Sequence, residues 1–150
     1  MANNLSGLDK HQRAFAARVD KNSYSRHQYT VFKDFCELAA LSMSNAVDRA
    51  QHETREARYM QIVKGYKAHE VARFPEMLAC FALSLEVEMK DCLGQLFMAL
   101  ELGNSRAGQF FTPYNISLLM AKMICGDVKA QCEARGYVRV MEPAVGAGAW

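Results

Sequence analysis

The sequence predicts a mainly α-helical chain, in which a bundle of about four helices precedes the first helix and first strand of an α/β domain. Two observations support this. Apolar residues recur at spacings of three and four along residues 29–102, which is the period of amphipathic helices. A short β-branched segment at 137–141 then runs into a glycine-rich loop, the usual sequence of a strand and its ligand-binding turn in α/β folds.

Composition narrows the class of protein. The 150 residues are 51% hydrophobic and 23% charged, which suits one ordinary globular domain with enough apolar material for a core. The formal net charge of +2 is too small to argue for nucleic acid by itself. No apolar run approaches the roughly eighteen residues of a membrane span, and the first six residues lack the apolar core of a signal peptide. We therefore expect a soluble, cytoplasmic protein with no membrane partner.

The cysteines and histidines do not have the spacing of metal ligands. Five cysteines are an odd number and include no C-x-x-C pair, and the four histidines are dispersed. Reduced thiols in a cytosolic protein explain the cysteines better than disulfides or zinc. We expect no bound metal.

Residues 1–27 form a polar segment without a sustained apolar period. Five basic residues against Asp9 and Asp20 give this segment a net charge of +3, and Phe15 and Tyr24 are interspersed among them. We interpret it as a solvated, partly disordered basic leader, because chain termini commonly fray. A basic arm that contacts phosphates is the alternative.

Residues 28–103 carry the predicted bundle. The first helix extends from Tyr29 to Ala50, with an apolar stripe wide enough to be buried on more than one side. A second, charged helix lies within 48–67 and is ended with the help of Gly65.

Two further helices complete the bundle. From Glu70 onwards an apolar stripe predicts a helix that Pro75 either opens or kinks. Asp91 can cap the next helix, which stops near Gly103.

The last third of the chain, residues 104–150, begins a different domain. Thr112 is suited to a helix N-cap and Pro113 to the first helical position, so a helix is predicted to begin here. Its apolar stripe, which we expect to pack on another element, consists of Ile116, Leu119, Met120, Met123 and Ile124. A polar segment at 126–136 separates it from a predicted buried strand at 137–141.

Two motifs in this region resemble those of the adenine-specific DNA methyltransferases that use S-adenosyl-L-methionine. Gly108-Gln109-Phe110-Phe111-Thr112-Pro113 resembles the upstream cofactor motif G-Q-[FY]-[FY]-T-P, and Glu142-Pro143-Ala144-Val145-Gly146-Ala147-Gly148 resembles the first core motif [DE]-P-A-x-G-x-G. The likeness includes the modification subunits of type I restriction systems and their phage and plasmid relatives. Residues 34–104 are also similar, more loosely, to the helical segment that precedes the methyltransferase core in phage-type members.

The resemblance implies a cofactor site. Gln109, Phe110, Phe111, Thr112 and Pro113 would lie along the methionine and adenine ends of S-adenosyl-L-methionine. These residues would form one wall of the cofactor site, and the opposite wall would consist of Glu142, Pro143, Ala144, Gly146 and Gly148. Glu142 would face the cofactor's positive charge, and the two glycines would permit its close approach. The structural alternative is that Phe110 and Phe111 are core aromatics and that the glycine loop is an ordinary strand-to-helix turn.

The family's catalytic motif, [DNS]-P-P-[YFW], does not occur in these residues, because none of the three prolines has a proline neighbour. We therefore predict no catalytic residue in this chain. The chain resembles the amino-terminal portion of a methyltransferase, cut after its first glycine-rich cofactor motif, and we expect it to be inactive alone.

The resemblance implies that the parent protein methylates the exocyclic amine of adenine in double-stranded DNA, in restriction-modification or in phage or plasmid DNA protection. A specificity subunit or a second copy of the chain would be its protein partner. A non-catalytic helical module that binds DNA or protein is the alternative. A nicotinamide-dependent Rossmann enzyme is a weaker one, because a proline separates the strand from the glycines.

Overall fold

A computed structural model describes residues 7–103, 112 and 114–141 of the chain. The chain divides into two compact units, Met1–Leu102 and Gly103–Trp150. All regular secondary structure in the described residues is helical.

Six helices form the described part of the first unit: α1 Lys10–Asn22, α2 Gln28–Val47, α3 His52–Val63, α4 Ala68–Val71, α5 Arg73–Val87 and α6 Cys92–Ala99. The second unit contains α7 Tyr114–Cys125 and α8 Val128–Arg135. The helices predicted from apolar periodicity correspond to α2, α3, α5, α6 and α7, so those predictions are confirmed. None of the described helices has both the length and the apolar composition that crossing a membrane requires.

Helices α1 and α5 form the most extensive helix pair of the first unit. They run antiparallel, because Asp9 at the start of α1 bonds to Ser84 near the end of α5, while Arg18 bonds to Glu76 near its start. Helix α2 packs against α1, α3 and α5, and α6 packs against both α1 and α5. The apolar faces of these helices therefore meet in one core.

Aromatic side chains from α1, α2 and α6 occupy the centre of this core. The ring of Phe15 on α1 is fully buried and meets the edges of Phe32 and Phe35, with centroid distances of 6.1 and 4.7 Å. Phe32 in turn lies 5.9 Å from Phe97 on α6. Edge-to-face pairs of this kind add about 1 kcal/mol each to the gain from burial.

The structure corrects the prediction that residues 1–27 form a partly disordered leader. Residues 10–22 are helix α1, and its Phe15, Ala16 and Val19 are fully buried. The helix begins at a capping box, in which Asp9 accepts from the backbone of Gln12 and the Gln12 side chain accepts from the backbone of Asp9. The apolar side of α1 is not visible in the sequence pattern, because the polar residue Gln12 occupies one of its interior positions.

Helix ends follow local chemistry. Pro75 lies in the first turn of α5, where a missing backbone donor costs nothing, so it opens the helix rather than kinking it. The Asp91 carboxylate accepts from the backbone amide of Gly94 and caps α6, as predicted. In the second unit, Asp127 caps α8 in the same way, and Gly136 ends α8 with a left-handed φ of 78°. The polar segment predicted at 126–136 thus contains a short helix.

The strand predicted at 137–141 is not formed. These residues have no regular secondary structure, and the side chains of Tyr137, Val140 and Met141 are exposed rather than buried. A strand is stable only when its backbone groups pair with another strand, and the described residues contain no strand that could supply this pairing. The β-branched composition of the segment therefore does not suffice to form a strand.

Candidate functional site

The predicted cofactor residues lie almost entirely outside the described residues. The residues concerned are Gln109, Phe110, Phe111, Pro113, Glu142, Pro143, Ala144, Gly146 and Gly148. Thr112 is described, and it is exposed and lies two residues before α7 begins. Whether Thr112 caps α7 stays a prediction, because its immediate neighbour lies outside the described residues.

Helix α7 occupies the sequence between the two motifs, as predicted. Its apolar stripe is exposed to solvent within the described part of the second unit, with exposed fractions between 46% at Met120 and 78% at Ile124. The described residues of this unit therefore present an amphipathic helix whose apolar side is open. The expected packing of that side stays a prediction.

A polar cleft of about 290 Å³ lies at the end of α8. Its walls are Gln131, Arg135, Val138 and the pair of Tyr137 and Arg139. The guanidinium of Arg139 lies 5.5 Å from the centre of the Tyr137 ring, a distance at which cation–π attraction is modest at an exposed site. The cleft immediately precedes the second motif in sequence.

In the first unit, one concentration of buried polar groups surrounds Asp9. Its carboxylate accepts from the backbone amides of His11 and Gln12, from the Ser84 hydroxyl at 2.6 Å and from the Lys90 ammonium at 2.8 Å. Both members of the ion pair are largely removed from solvent, with 17% and 12% of their side chains exposed. Asp9 thus joins the start of α1 to the end of α5 and to the segment before α6.

The network continues from Ser84 into α6. The Cys92 thiol lies 3.5 Å from the Ser84 hydroxyl, and the Gln12 amide donates to the Gln95 side chain at 2.8 Å. Gln12, Ser84 and Cys92 are all essentially inaccessible to solvent. Burial raises the pKa of the Cys92 thiol, so the thiol stays protonated at neutral pH.

Electrostatics indicates a structural role for this network. Burial by itself raises the pKa of Asp9, but hydrogen bonds from Lys90, Ser84 and the two backbone amides outweigh it and hold the pKa well below its usual value. A carboxylate so strongly held in its charged form is a poor proton acceptor, and the Ser84 hydroxyl that contacts it is fully buried. The arrangement therefore braces three helices and is not suited to general base catalysis.

A second set of polar contacts braces the other end of α1. The buried Asn22 side chain donates to the carbonyl of Glu70 at 3.1 Å and accepts from Arg73 at 2.7 Å. Nearby, the Tyr66 hydroxyl donates to Asp34 at 2.6 Å, and the Arg26 guanidinium stacks 4.2 Å from the centre of the Tyr66 ring. Burial, followed by the Asp34 hydrogen bond, raises the pKa of Tyr66. Both ends of α1 are thus tied to the rest of the unit.

The described residues do not group three or more histidine, cysteine or acidic side chains in a way that would bind a metal ion. All five cysteines are free thiols. Burial raises the pKa of Cys36 to about 11, which makes that thiol unreactive at neutral pH.

Sequence reasoning missed the Asp9 network, although part of its signal was present. An acidic residue followed three positions later by glutamine is a capping-box pattern and marks the start of a helix. The contacts of Asp9 with Ser84 and Lys90 span 75 and 81 residues and leave no local pattern. Comparison of the chain with models of protein families, with curated proteins and with solved structures found no match.

Proposed function

We propose that this chain is the amino-terminal part of a DNA methyltransferase that transfers a methyl group from S-adenosyl-L-methionine to the exocyclic amine of adenine. The observation that carries the proposal is the pair of motifs at 108–113 and 142–148, in that order. Helix α7 lies between them, which is the arrangement that the resemblance implies. Two motifs in the right order around a helix are far more specific than either motif alone.

The residues of the second motif suit a positively charged, nucleoside-type ligand. The Glu142 carboxylate would attract the ammonium and sulfonium charges of the cofactor. Gly146 and Gly148 lack a Cβ, so a ligand can lie directly against their backbone amides. The aromatic rings of Phe110 and Phe111 would supply an apolar wall opposite. Catalysis itself would be carried by residues outside this chain.

The decisive experiment for this proposal measures methyl transfer by the complete product of the gene. S-adenosyl-L-methionine with a labelled methyl group is incubated with unmethylated duplex DNA, and the digested DNA is analysed for N6-methyladenine. We expect label in N6-methyladenine with the complete product and none with the 150-residue chain alone. Label in cytosine, or no label in DNA at all, would contradict the proposal.

A second candidate is a helical module that binds DNA or protein without catalysis. The observation in its favour is the first unit, where the six described helices enclose an aromatic core and hydrogen bonds hold both ends of α1. Such a unit has the construction of an independent module. The methyl-transfer experiment separates the two candidates, because a module alone leaves the DNA unlabelled.

A further inference from the structure

Helix α1 carries a basic stripe on the side that faces away from the core. Lys10, Arg13, Ala17 and Lys21 are spaced three and four residues apart, and all four are exposed. With 3.6 residues per turn, these positions fall on one side of the helix and extend about 16 Å along its axis. We refer to this set of four residues as the α1 basic face.

The cations of this face are not neutralised within the described part of the first unit. Lys10, Arg13 and Lys21 make no salt bridge there, whereas Arg18 of the same helix pairs with Glu76. Two acids adjoin this face in sequence: Asp9, beside Lys10, is paired with Lys90, and Asp20, beside Lys21, accepts a hydrogen bond from Gln28. Ala17 lies between the three cations and leaves room for a ligand to approach the helix closely.

The charge on this face is local. Residues 7–102 contain thirteen Lys and Arg and thirteen Asp and Glu, so their formal charges cancel. A polyanion would therefore not be drawn to the whole unit by its net charge, and any attraction must come from a region where the cations are concentrated. The α1 basic face is such a region, and the exposed Tyr24 ring, with 94% of its surface accessible, lies just beyond its end.

The helix that carries these cations is fixed in position within the first unit. The opposite side of α1 is held in the core by Phe15 and Val19, and its two ends are fixed by the Asp9–Lys90 ion pair and the Asn22–Arg73 hydrogen bond. The spacing of the three charges is thus set before a ligand binds, so binding orders only the side chains and not the backbone.

We propose that the α1 basic face binds the phosphate backbone of double-stranded DNA. A rigid row of three cations about 16 Å long fits several successive phosphates of a duplex, which presents one charge per about 1.7 Å of its axis. Contacts of this kind hold and orient a protein on DNA without reading sequence. The choice of DNA as the polyanion rests on the proposed function, and the location of the contact rests on the structure of α1.

The test compares two variants that remove the same charge from different places. The first carries Lys10→Gln, Arg13→Gln and Lys21→Gln. The matched control carries Arg49→Gln, Lys64→Gln and Lys67→Gln, three exposed cations in the turns flanking α3 that also make no salt bridge among the described residues. Binding of the 150-residue chain to a labelled 20-base-pair duplex is followed by fluorescence anisotropy between 20 and 150 mM salt.

We expect the α1 variant to lose about tenfold or more in affinity for the duplex at the lowest salt. The slope of the logarithm of its association constant against the logarithm of the salt concentration should become less negative by about two to three, since each phosphate contact contributes about 0.9 to this slope. The control should change affinity less than about threefold. Three outcomes would each overturn the proposal. The two variants could lose the same affinity, or the unmodified chain could fail to bind the duplex at 20 mM salt. The third outcome is tighter binding to anionic lipid vesicles than to the duplex. Because this experiment omits the cofactor, its failure is distinct from a failure of the methyl-transfer experiment.

Discussion

At the scale of single residues, Asp9 makes the contacts that join the start of α1 to Ser84 and Lys90. Replacing it by asparagine keeps a good helix cap but removes the charge that neutralises Lys90. We expect Asp9→Asn to lower the free energy of unfolding by about 2 kcal/mol, the usual value of a hydrogen bond to a charged group.

Asp91→Asn is the matched control for this change, because Asp91 also caps a helix but makes no salt bridge in the described residues. Urea denaturation of the two variants measures both effects. A loss for Asp91→Asn as large as that for Asp9→Asn would show that the effect comes from removing a negative charge at a helix start and not from the ion pair.

The same carboxylate predicts a dependence of stability on pH. The folded state lowers the pKa of Asp9 below its unfolded value of about 3.9, so the folded state favours the charged form. This contribution is fully present above the unfolded pKa and is lost as the pH falls towards the folded pKa.

We therefore expect the difference in unfolding free energy between the unmodified chain and Asp9→Asn to shrink steadily from pH 5 to pH 2.5. Urea denaturation across this range measures it. A difference that stays constant over the range would show that the charge of Asp9 does not stabilise the fold.

At the scale of secondary-structure elements, α1 is central to the first unit. Phe15 is fully buried between Phe32 and Phe35, so Phe15→Ala should lower the free energy of unfolding by about 3 to 5 kcal/mol. Tyr24→Ala removes an aromatic ring that is almost entirely exposed and should cost less than about 0.5 kcal/mol. Thermal and urea denaturation compare the two, and similar small effects would mean that α1 does not belong to the core.

The elements that sequence predicted correctly are those with long apolar stripes. Helices α2 and α5 each place apolar residues on one face over four turns or more, and this period is visible without any tertiary information. Helix α1 buries only a short apolar set together with the polar Gln12 and Asn22, so its stripe is incomplete in the sequence. Hydrogen bonds to partners far along the chain make this burial possible, and local patterns do not contain them.

The strand predicted at 137–141 failed for a related reason. Strand propensity describes how side chains fit a pleated surface, but a strand also needs a neighbour to pair with. The cofactor residues at 108–113 and 142–148 were predicted from motifs alone, and among them only Thr112 is described by the structure. The contacts by which Asp9 and Asn22 join separate helices, by contrast, could be found only from the fold, because they link residues 48 or more positions apart in the chain.

At the scale of the whole molecule, the division after Leu102 predicts that the first unit folds independently. A chain of residues 1–103 should unfold in one sharp thermal transition, because it contains the complete aromatic core and both sets of polar braces. Residues 28–103 without α1 should lose this cooperativity, since α5 loses its largest partner. Circular dichroism during heating tests both, and a sharp transition in the shorter chain would contradict the role assigned to α1.

The measurement that tests the central claim most directly is calorimetric titration of S-adenosyl-L-methionine into the complete product of the gene. Gly148→Val places a branched side chain where the cofactor would lie against the backbone, so it should abolish binding. Gly103→Val makes the same exchange outside the two motifs. We expect it to bind the cofactor as the unmodified protein does, and thermal denaturation should show that both variants keep the helical unit folded. Undiminished binding by Gly148→Val would contradict the assignment of the glycine loop to the cofactor site.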